Sequence, residues 1–296
     1  MVDTSLDAGV VVTCAQIGLA VGDAGGNRRA ASRAIESAVA AGADVVVLPE
    51  LVNSGYALRD AAELAALAEG LDGPTVTAWS DAARRDDIVI VGGLAERDDD
   101  GRIRNSAVVV DSGGVRGVYR KAHLWGEESM FFVAGDALPP VVDTRVGRIG
   151  VLVCYDVEFP EWVRSVALQG AELLCVPTNW PYSPSPVGER HILNVRVQAA
   201  AATERVYIAV CDRTGSERGV EWVGGSMISD HRGYPMAGPA SPGETLLVAR
   251  CRLTDARDKR VGPRNDAFAD RRVSLYGGIL APQRRPPTPT SPRPRT

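Results

Sequence analysis

The sequence predicts an α/β fold, and three observations carry that prediction. Runs rich in Val, Ile and Leu recur along the chain, stretches with helical spacing fall between them, and several of the runs are apolar throughout. Strands that alternate with helices form sheets covered by those helices, and a strand covered on both faces reads as an uninterrupted apolar run.

In chain order, the strand-like runs are Val10–Gln16, Asp44–Leu48, Ile88–Gly92, Ser106–Val110, Val115–Tyr119, Arg148–Val153, Glu172–Val176, Val206–Cys211, Ser226–Ser229 and Thr245–Cys251. The helix-like stretches are Arg28–Ala41, Ala61–Glu69, Thr75–Arg85, Pro160–Gln169 and Glu189–Glu204. In the first helix Ala31, Ala34, Ile35, Ala38 and Val39 form an apolar stripe at helical spacing, and Gly42 follows as a C-cap. No repeat or linker interrupts residues 1–280, which read as one domain. Ala281–Thr296 is rich in proline and arginine with almost nothing to bury, so a disordered tail is expected there.

The composition is that of an ordinary soluble protein, with 45% apolar and 24% charged residues among 296, enough chain to bury a deep core. A net charge of −4 offers no electrostatic attraction for nucleic acid or an anionic membrane. The first residues, with Asp3 and Asp7, lack the basic start of a secretory signal, and no apolar run reaches the length of a membrane span. Five cysteines, odd in number and dispersed in mostly apolar contexts, read as free thiols and predict a reducing cytoplasm. No cysteine pair has zinc-ligand spacing and the three histidines do not cluster, so no metal site is expected. Only two lysines occur, Lys121 and Lys259, which singles out a lysine inside a motif.

Three segments bear chemistry. In Asp44-Val-Val-Val-Leu-Pro-Glu50 an apolar strand delivers a carboxylate to the sheet rim, where α/β ligand sites lie. Desolvation there would raise its pKa toward the range of a general base; the plain alternative is a solvated turn glutamate. In Tyr119-Arg-Lys121-Ala-His-Leu-Trp-Gly-Glu-Glu128 the lysine follows a strand amid apolar and aromatic residues. An ammonium fixed there can hold the oxyanion of a tetrahedral intermediate, whereas most lysines are simply exposed. His123 reads as a packed or hydrogen-bonded loop histidine. In Arg148-Ile-Gly-Val-Leu-Val-Cys154-Tyr-Asp-Val-Glu-Phe-Pro160-Glu a strand ends on a cysteine shortly before a helix. Backbone N–H groups at such a turn can lower the thiol pKa and receive an oxyanion. Cys14, Cys175, Cys211 and Cys251 read as inert core thiols. Base, cation and nucleophile at strand ends together are what amide hydrolysis through a thioester requires.

These segments resemble the nitrilase, or carbon–nitrogen hydrolase, superfamily: LPE at Glu50, YRKAHLWGEE at Lys121 and CYDVEFPE at Cys154. The likeness continues through GAELLCVPTNW (170–180), RVYIAVCDRTG (205–215) and GGSMISDHRG (224–233), and is nearest to the small aliphatic amidases, including 5-aminopentanamidase-like enzymes. It implies a four-layer αββα sandwich, assembled as a homodimer or larger homo-oligomer across the helices near the cysteine turn, with no cofactor and no metal. It implies Glu50 as general base, Cys154 as nucleophile, and Lys121 with the Tyr155 N–H as oxyanion donors. The second glutamate common seven residues after the lysine falls on Glu128, with Glu127 as the alternative register. Tyr56, Asn179 and Trp180 hold positions that commonly line the pocket. One stretch departs from the family: relatives carry R-A-x-E-N before the RVY strand, where this chain has Ala200-Ala-Ala-Thr-Glu-Arg205.

The expected reaction is hydrolysis of a small aliphatic amide to the acid and ammonia. Hydrolysis of a nitrile or an N-carbamoyl amine by the same residues is the near alternative, and a binding protein or a zinc hydrolase the distant ones. Family members that cleave N-carbamoyl amino acids carry arginines three or four residues after the cysteine. Val157 and Glu158 stand there, so Glu158 is expected either to pair with a substrate ammonium or simply to begin the following helix.

Overall fold

A computed structural model of the chain describes residues 9–281. These fall into two compact units, one extending to Lys259 and one beginning at Arg260. The segment expected to form a tail lies outside the described residues, apart from Ala281.

The first unit runs β1 (Val10–Gln16), α1 (Ala24–Ala40), β2 (Val45–Val47), α2 (Ala61–Leu67), α3 (Pro74–Asp86), β3 (Val89–Arg97), β4 (Ile103–Asp111) and β5 (Gly114–Arg120). It continues through α4 (Glu128–Phe131), β6 (Val141–Thr144), β7 (Gly147–Val151), α5 (Pro160–Leu168), β8 (Leu173–Pro177), α6 (Ile192–Glu204) and β9 (Tyr207–Cys211). It closes with β10 (Ser216–Glu217), β11 (Val220–Glu221), β12 (Met227–Ser229), β13 (Pro235–Ala237) and β14 (Thr245–Cys251). The second unit holds the short antiparallel pair β15 (Arg260–Gly262) and β16 (Asn265–Asp266), followed by 3-10 turns.

Two six-stranded sheets, ordered β14-β1-β2-β3-β4-β5 and β13-β12-β9-β8-β7-β6, pack face to face. Each has a parallel centre, β1-β2-β3 in one and β7-β8-β9 in the other. Side-chain alternation assigns the faces of the first sheet. Val45, Val47, Val89, Val91, Ala107 and Val109 enter the core shared with the second sheet, while Val46, Ile90, Val108 and Val110 pack under α1 and α3. From those helices come Ala31, Ile35 and Ala38, and Val76, Trp79 and Ala83. On the far side, Val163 and Val166 of α5 and Val197 and Ala201 of α6 cover the second sheet. The four layers are therefore the αββα sandwich.

Every expected strand and helix is present, β1 and β14 with the expected ends and the others with shifted ends. The first helix begins at Ala24, before the expected Arg28, because the Asp23 carboxylate accepts the Gly26 N–H as an N-cap. Two strands of the six-stranded sheets were not expected, nor were the two-stranded pairs β10-β11 and β15-β16. β6 and β13 are edge strands of four and three residues, the first just after Pro139-Pro140 and the second starting on Pro235, a residue that counts against a strand except at an edge. The expected strand to Val153 stops at Val151, and Cys154 opens a 3-10 turn through Glu158. In the departing stretch, Glu204 is buried and pairs with Arg164 of α5 at 2.6 Å.

Candidate active site

The site lies beyond the ends of β2, β5, β7 and β8, and each chemical group enters from a different strand end. Glu50 follows β2 and is fully buried. Gly93 of β3 makes room for it: a Cβ there would lie 2.3 Å from the Glu50 Cα. The next residue, Leu51, adopts φ 53°, a left-handed conformation that a branched side chain disfavours and that is concentrated at functional sites. Lys121 follows β5, with its N–H bound to the Asn105 carbonyl and its side chain fully buried.

The Lys121 ammonium donates to Glu50 Oε1 at 2.9 Å and to Glu128 Oε1 at 2.8 Å. Burial pulls its pKa down, but the two carboxylates outweigh that and hold it well above the usual lysine value. Both oxygens of Glu128 are engaged: Oε1 also accepts the Tyr56 hydroxyl at 2.6 Å, and Oε2 accepts the Trp125 N–H at 3.1 Å. Glu127 is exposed, which decides the register in favour of Glu128 as the glutamate brought to the lysine. Glu50 differs from Glu128. Its Oε1 accepts Lys121 and the Asn105 amide at 2.7 Å, while Oε2 is buried with no hydrogen-bond partner among the described residues. Burial pushes the Glu50 carboxyl up to about 6, against the pull of Lys121.

Cys154 is buried and has φ 47° at the start of its turn. Its thiol lies 3.8 Å from the Asn179 carbonyl, and the Asn179 amide donates to the Glu50 carbonyl at 3.0 Å. The expectation of a lowered thiol pKa is corrected here. Burial first, and the Glu50 negative charge next, push it well above the ordinary thiol value, with Lys121 opposing. A thiol shifted in that direction calls for a base to take its proton as sulfur attacks.

Asp156 fastens the cysteine turn to the lysine loop. It accepts the Tyr119 hydroxyl at 2.8 Å, the Val153 N–H at 3.2 Å and the His123 N–H at 3.1 Å, and its Oδ1 lies 2.7 Å from His123 Nδ1. The His123 ring stacks on Phe159 at 3.7 Å, the packed role expected of it. Tyr155 stands edge-on to Trp125 at 4.8 Å.

A cleft of about 460 Å³ reaches Tyr56 and Glu128 between Leu58, Trp125, Phe131, Phe132, Pro181 and Val220, with Glu127 and Arg218 also on its wall. Trp180, beside Pro181, is buried. Arg218 is bound by both oxygens of Glu63, at 2.6 and 2.7 Å. Glu158 does not join the cluster through its charge, because Arg196 of α6 holds its carboxylate. The sequence reading missed Asn105, which binds both Glu50 and Lys121. Its signal was a polar residue just before the apolar run of β4.

A buried Glu–Lys–Cys grouping with one open carboxylate oxygen is hydrolase geometry, and comparison with known proteins agrees. Residues 11–261 match the family model described as Carbon-nitrogen hydrolase. The chain belongs to the carbon–nitrogen hydrolase family. It is 37% identical over 253 residues to a protein named Nitrilase from Pyrococcus abyssi (strain GE5 / Orsay), covering 84% of this chain and 92% of that one. It is 35% identical over 235 residues to an (R)-stereoselective amidase from Pseudomonas sp, covering 79% and 81%. Among solved structures it resembles a mutant amidase from Nesterenkonia sp. AN1, described as showing covalent addition of the acetamide moiety of fluoroacetamide at the active site cysteine. That likeness has a TM-score of 0.76 at 27% identity and covers 92% of this chain and 97% of that one. The protein is thus a carbon–nitrogen hydrolase of the nitrilase superfamily.

Proposed function

We propose that this enzyme hydrolyses short aliphatic amides to the carboxylic acid and ammonia through a thioester on Cys154. The observation that carries the reading is the open oxygen of Glu50, buried beside a lysine and a thiol that needs a base. Glu50 Oε2 takes the thiol proton as sulfur attacks the amide carbonyl carbon. The oxyanion forms against Lys121 and the Tyr155 N–H. As the C–N bond breaks, the proton held by Glu50 passes to the leaving nitrogen and ammonia departs. Water then attacks the thioester, giving its proton to Glu50; the C–S bond breaks, the acid leaves and the proton returns to sulfur. Glu128, with its oxygens engaged by Lys121, Tyr56 and the Trp125 N–H, orients the ammonium and the substrate amide.

The cleft favours uncharged or amine-bearing acyl groups over carboxylates. Its arginine is neutralised by Glu63, whereas Glu127 has no ion-pair partner among the described residues. Glu158, engaged by Arg196, is assigned no part in this preference. Five free, buried cysteines fit a cytoplasmic enzyme.

The deciding experiment is ammonia and carbon dioxide release from short amides, nitriles and N-carbamoyl amines, with mass spectrometry of quenched enzyme. The expected result is ammonia without carbon dioxide from amides, an acyl adduct on the Cys154 peptide, and loss of turnover in a folded Cys154→Ala variant. Carbon dioxide released with the ammonia would establish the carbamoyl reaction instead. Retained activity in Cys154→Ala would refute the thioester.

A further inference from the structure

Asn179 touches both reacting partners. Its carbonyl faces the Cys154 thiol and its side-chain amide holds the Glu50 carbonyl. The backbone that carries it continues into Trp180, whose N–H donates to Asp212 Oδ1 at 3.0 Å. Asp212 is fully buried just beyond the end of β9. Its Oδ1 also accepts the Arg213 N–H at 2.9 Å, and its Oδ2 accepts the Gly225 N–H at 3.0 Å. The neighbouring Arg213 guanidinium is turned away, to Glu217 and the Leu19 carbonyl. Asp212 is therefore held by backbone N–H groups from three segments, those of Trp180, Arg213 and Gly225. We propose that Asp212 is a positioning residue for the reaction, its carboxylate fixing the Asn179–Trp180 turn so that Asn179 keeps the Cys154 thiol and the Glu50 backbone in register.

The chemistry of the substituent makes this testable. Both oxygens of a carboxylate accept, as the three N–H donors on Asp212 require, whereas an amide replaces one oxygen with an NH2 group. Whichever way Asn were oriented, donors would face donors on one side, and the turn would lose part of its clamp. Burial pushes the Asp212 carboxyl up to about 7, and its backbone hydrogen bonds oppose that shift by favouring the ionised form.

The inference rests on the proposed thioester reading, and the experiment separates the two. Cys154 alkylation by iodoacetamide and steady-state amide hydrolysis are measured on wild type, Asp212→Asn and Ser226→Ala. Ser226 Oγ accepts the Asp212 N–H at 2.8 Å without touching the carboxylate, so Ser226→Ala perturbs the same junction without removing the clamp. Asp212→Asn is expected to lower kcat and the alkylation rate each by at least about tenfold while its circular dichroism stays native. Ser226→Ala should stay within about twofold of wild type. If Asp212→Asn does not fold, Asp212→Ser, which keeps one oxygen acceptor, is expected to give the same loss. Wild-type rates in folded Asp212→Asn or Asp212→Ser, or an equal loss in Ser226→Ala, would overturn the proposal. Failure of the thioester reading would appear separately, as activity in Cys154→Ala.

Discussion

Two buried carboxylates share one ammonium in this site, and the difference between them decides which can move a proton. Glu128 spends its oxygens on Lys121, the Tyr56 hydroxyl and the Trp125 N–H. Glu50 keeps Oε2 open, and burial places its pKa at about 6, where the carboxylate predominates at neutral pH but binds a proton readily. The base works in its ionised form, so kcat/KM should fall as pH drops through about 6. Asn105 donates to the ionised carboxylate and so lowers the Glu50 pKa. A hydrogen bond to a charged group is worth about 1.5–3 kcal/mol, and about 1.4 kcal/mol corresponds to one pKa unit. Asn105→Ala should therefore move the acid limb of kcat/KM upward by about one to two pH units. A limb that stays in place would remove Glu50 from the role of titrating base. Glu50, Lys121 and Cys154 were legible because each stands in a recognisable motif. Asn105 was not, because its one local sign, a polar residue beside the apolar run of β4, does not tell a site residue from the polar end of a strand. The raised thiol pKa was equally hidden, since it comes from burial and from a carboxylate distant in sequence.

The elements set the site through close approaches and strained turns at strand ends. Leu51 and Cys154 both adopt positive φ, at 53° and 47°, so the base and the nucleophile stand at departures from regular backbone. Such conformations cost about 1–3 kcal/mol each and persist only where surrounding structure holds them. Gly93 is part of what holds Glu50: the Gly93 carbonyl accepts the Val52 N–H, its N–H donates to the Pro49 carbonyl, and its missing side chain leaves room for the Glu50 backbone. A methyl group there would meet main chain rather than a movable side chain. Gly93→Ala should lower stability by about 1–3 kcal/mol, as overpacking does, and should lower kcat more than 1/KM because it displaces the base. Thermal melting and steady-state kinetics read the two effects, and a variant with wild-type kcat would show that Glu50 tolerates the shift. The long central strands were legible as apolar runs because both their faces are covered. β6 and β13 were not, being short, proline-flanked and at sheet edges, where neither alternation nor an apolar run develops.

At the scale of the whole molecule, the sandwich covers each sheet with helices, but the outer surface of α5 and α6 still shows apolar side chains. Leu168, Ile192 and Val195 are 43%, 51% and 42% exposed. Ile192 and Val195 are three residues apart on α6 and so share a face. Apolar residues on one face of adjoining helices are what a subunit interface uses, and the family resemblance implies assembly near the cysteine turn. Light scattering of the purified protein at micromolar concentration should give about twice the 31.4 kDa chain mass. Val195→Asp places a charge on that face without entering the core and should shift the mass to the monomer. The same surface reaches the chemistry, because the neighbouring Arg196 holds Glu158, the last residue of the turn that Cys154 opens. The monomeric variant should therefore lose activity severalfold while its melting transition remains cooperative. A wild type that is monomeric at these concentrations, or a Val195→Asp variant that stays dimeric with full activity, would assign α5 and α6 a purely structural role in covering the second sheet.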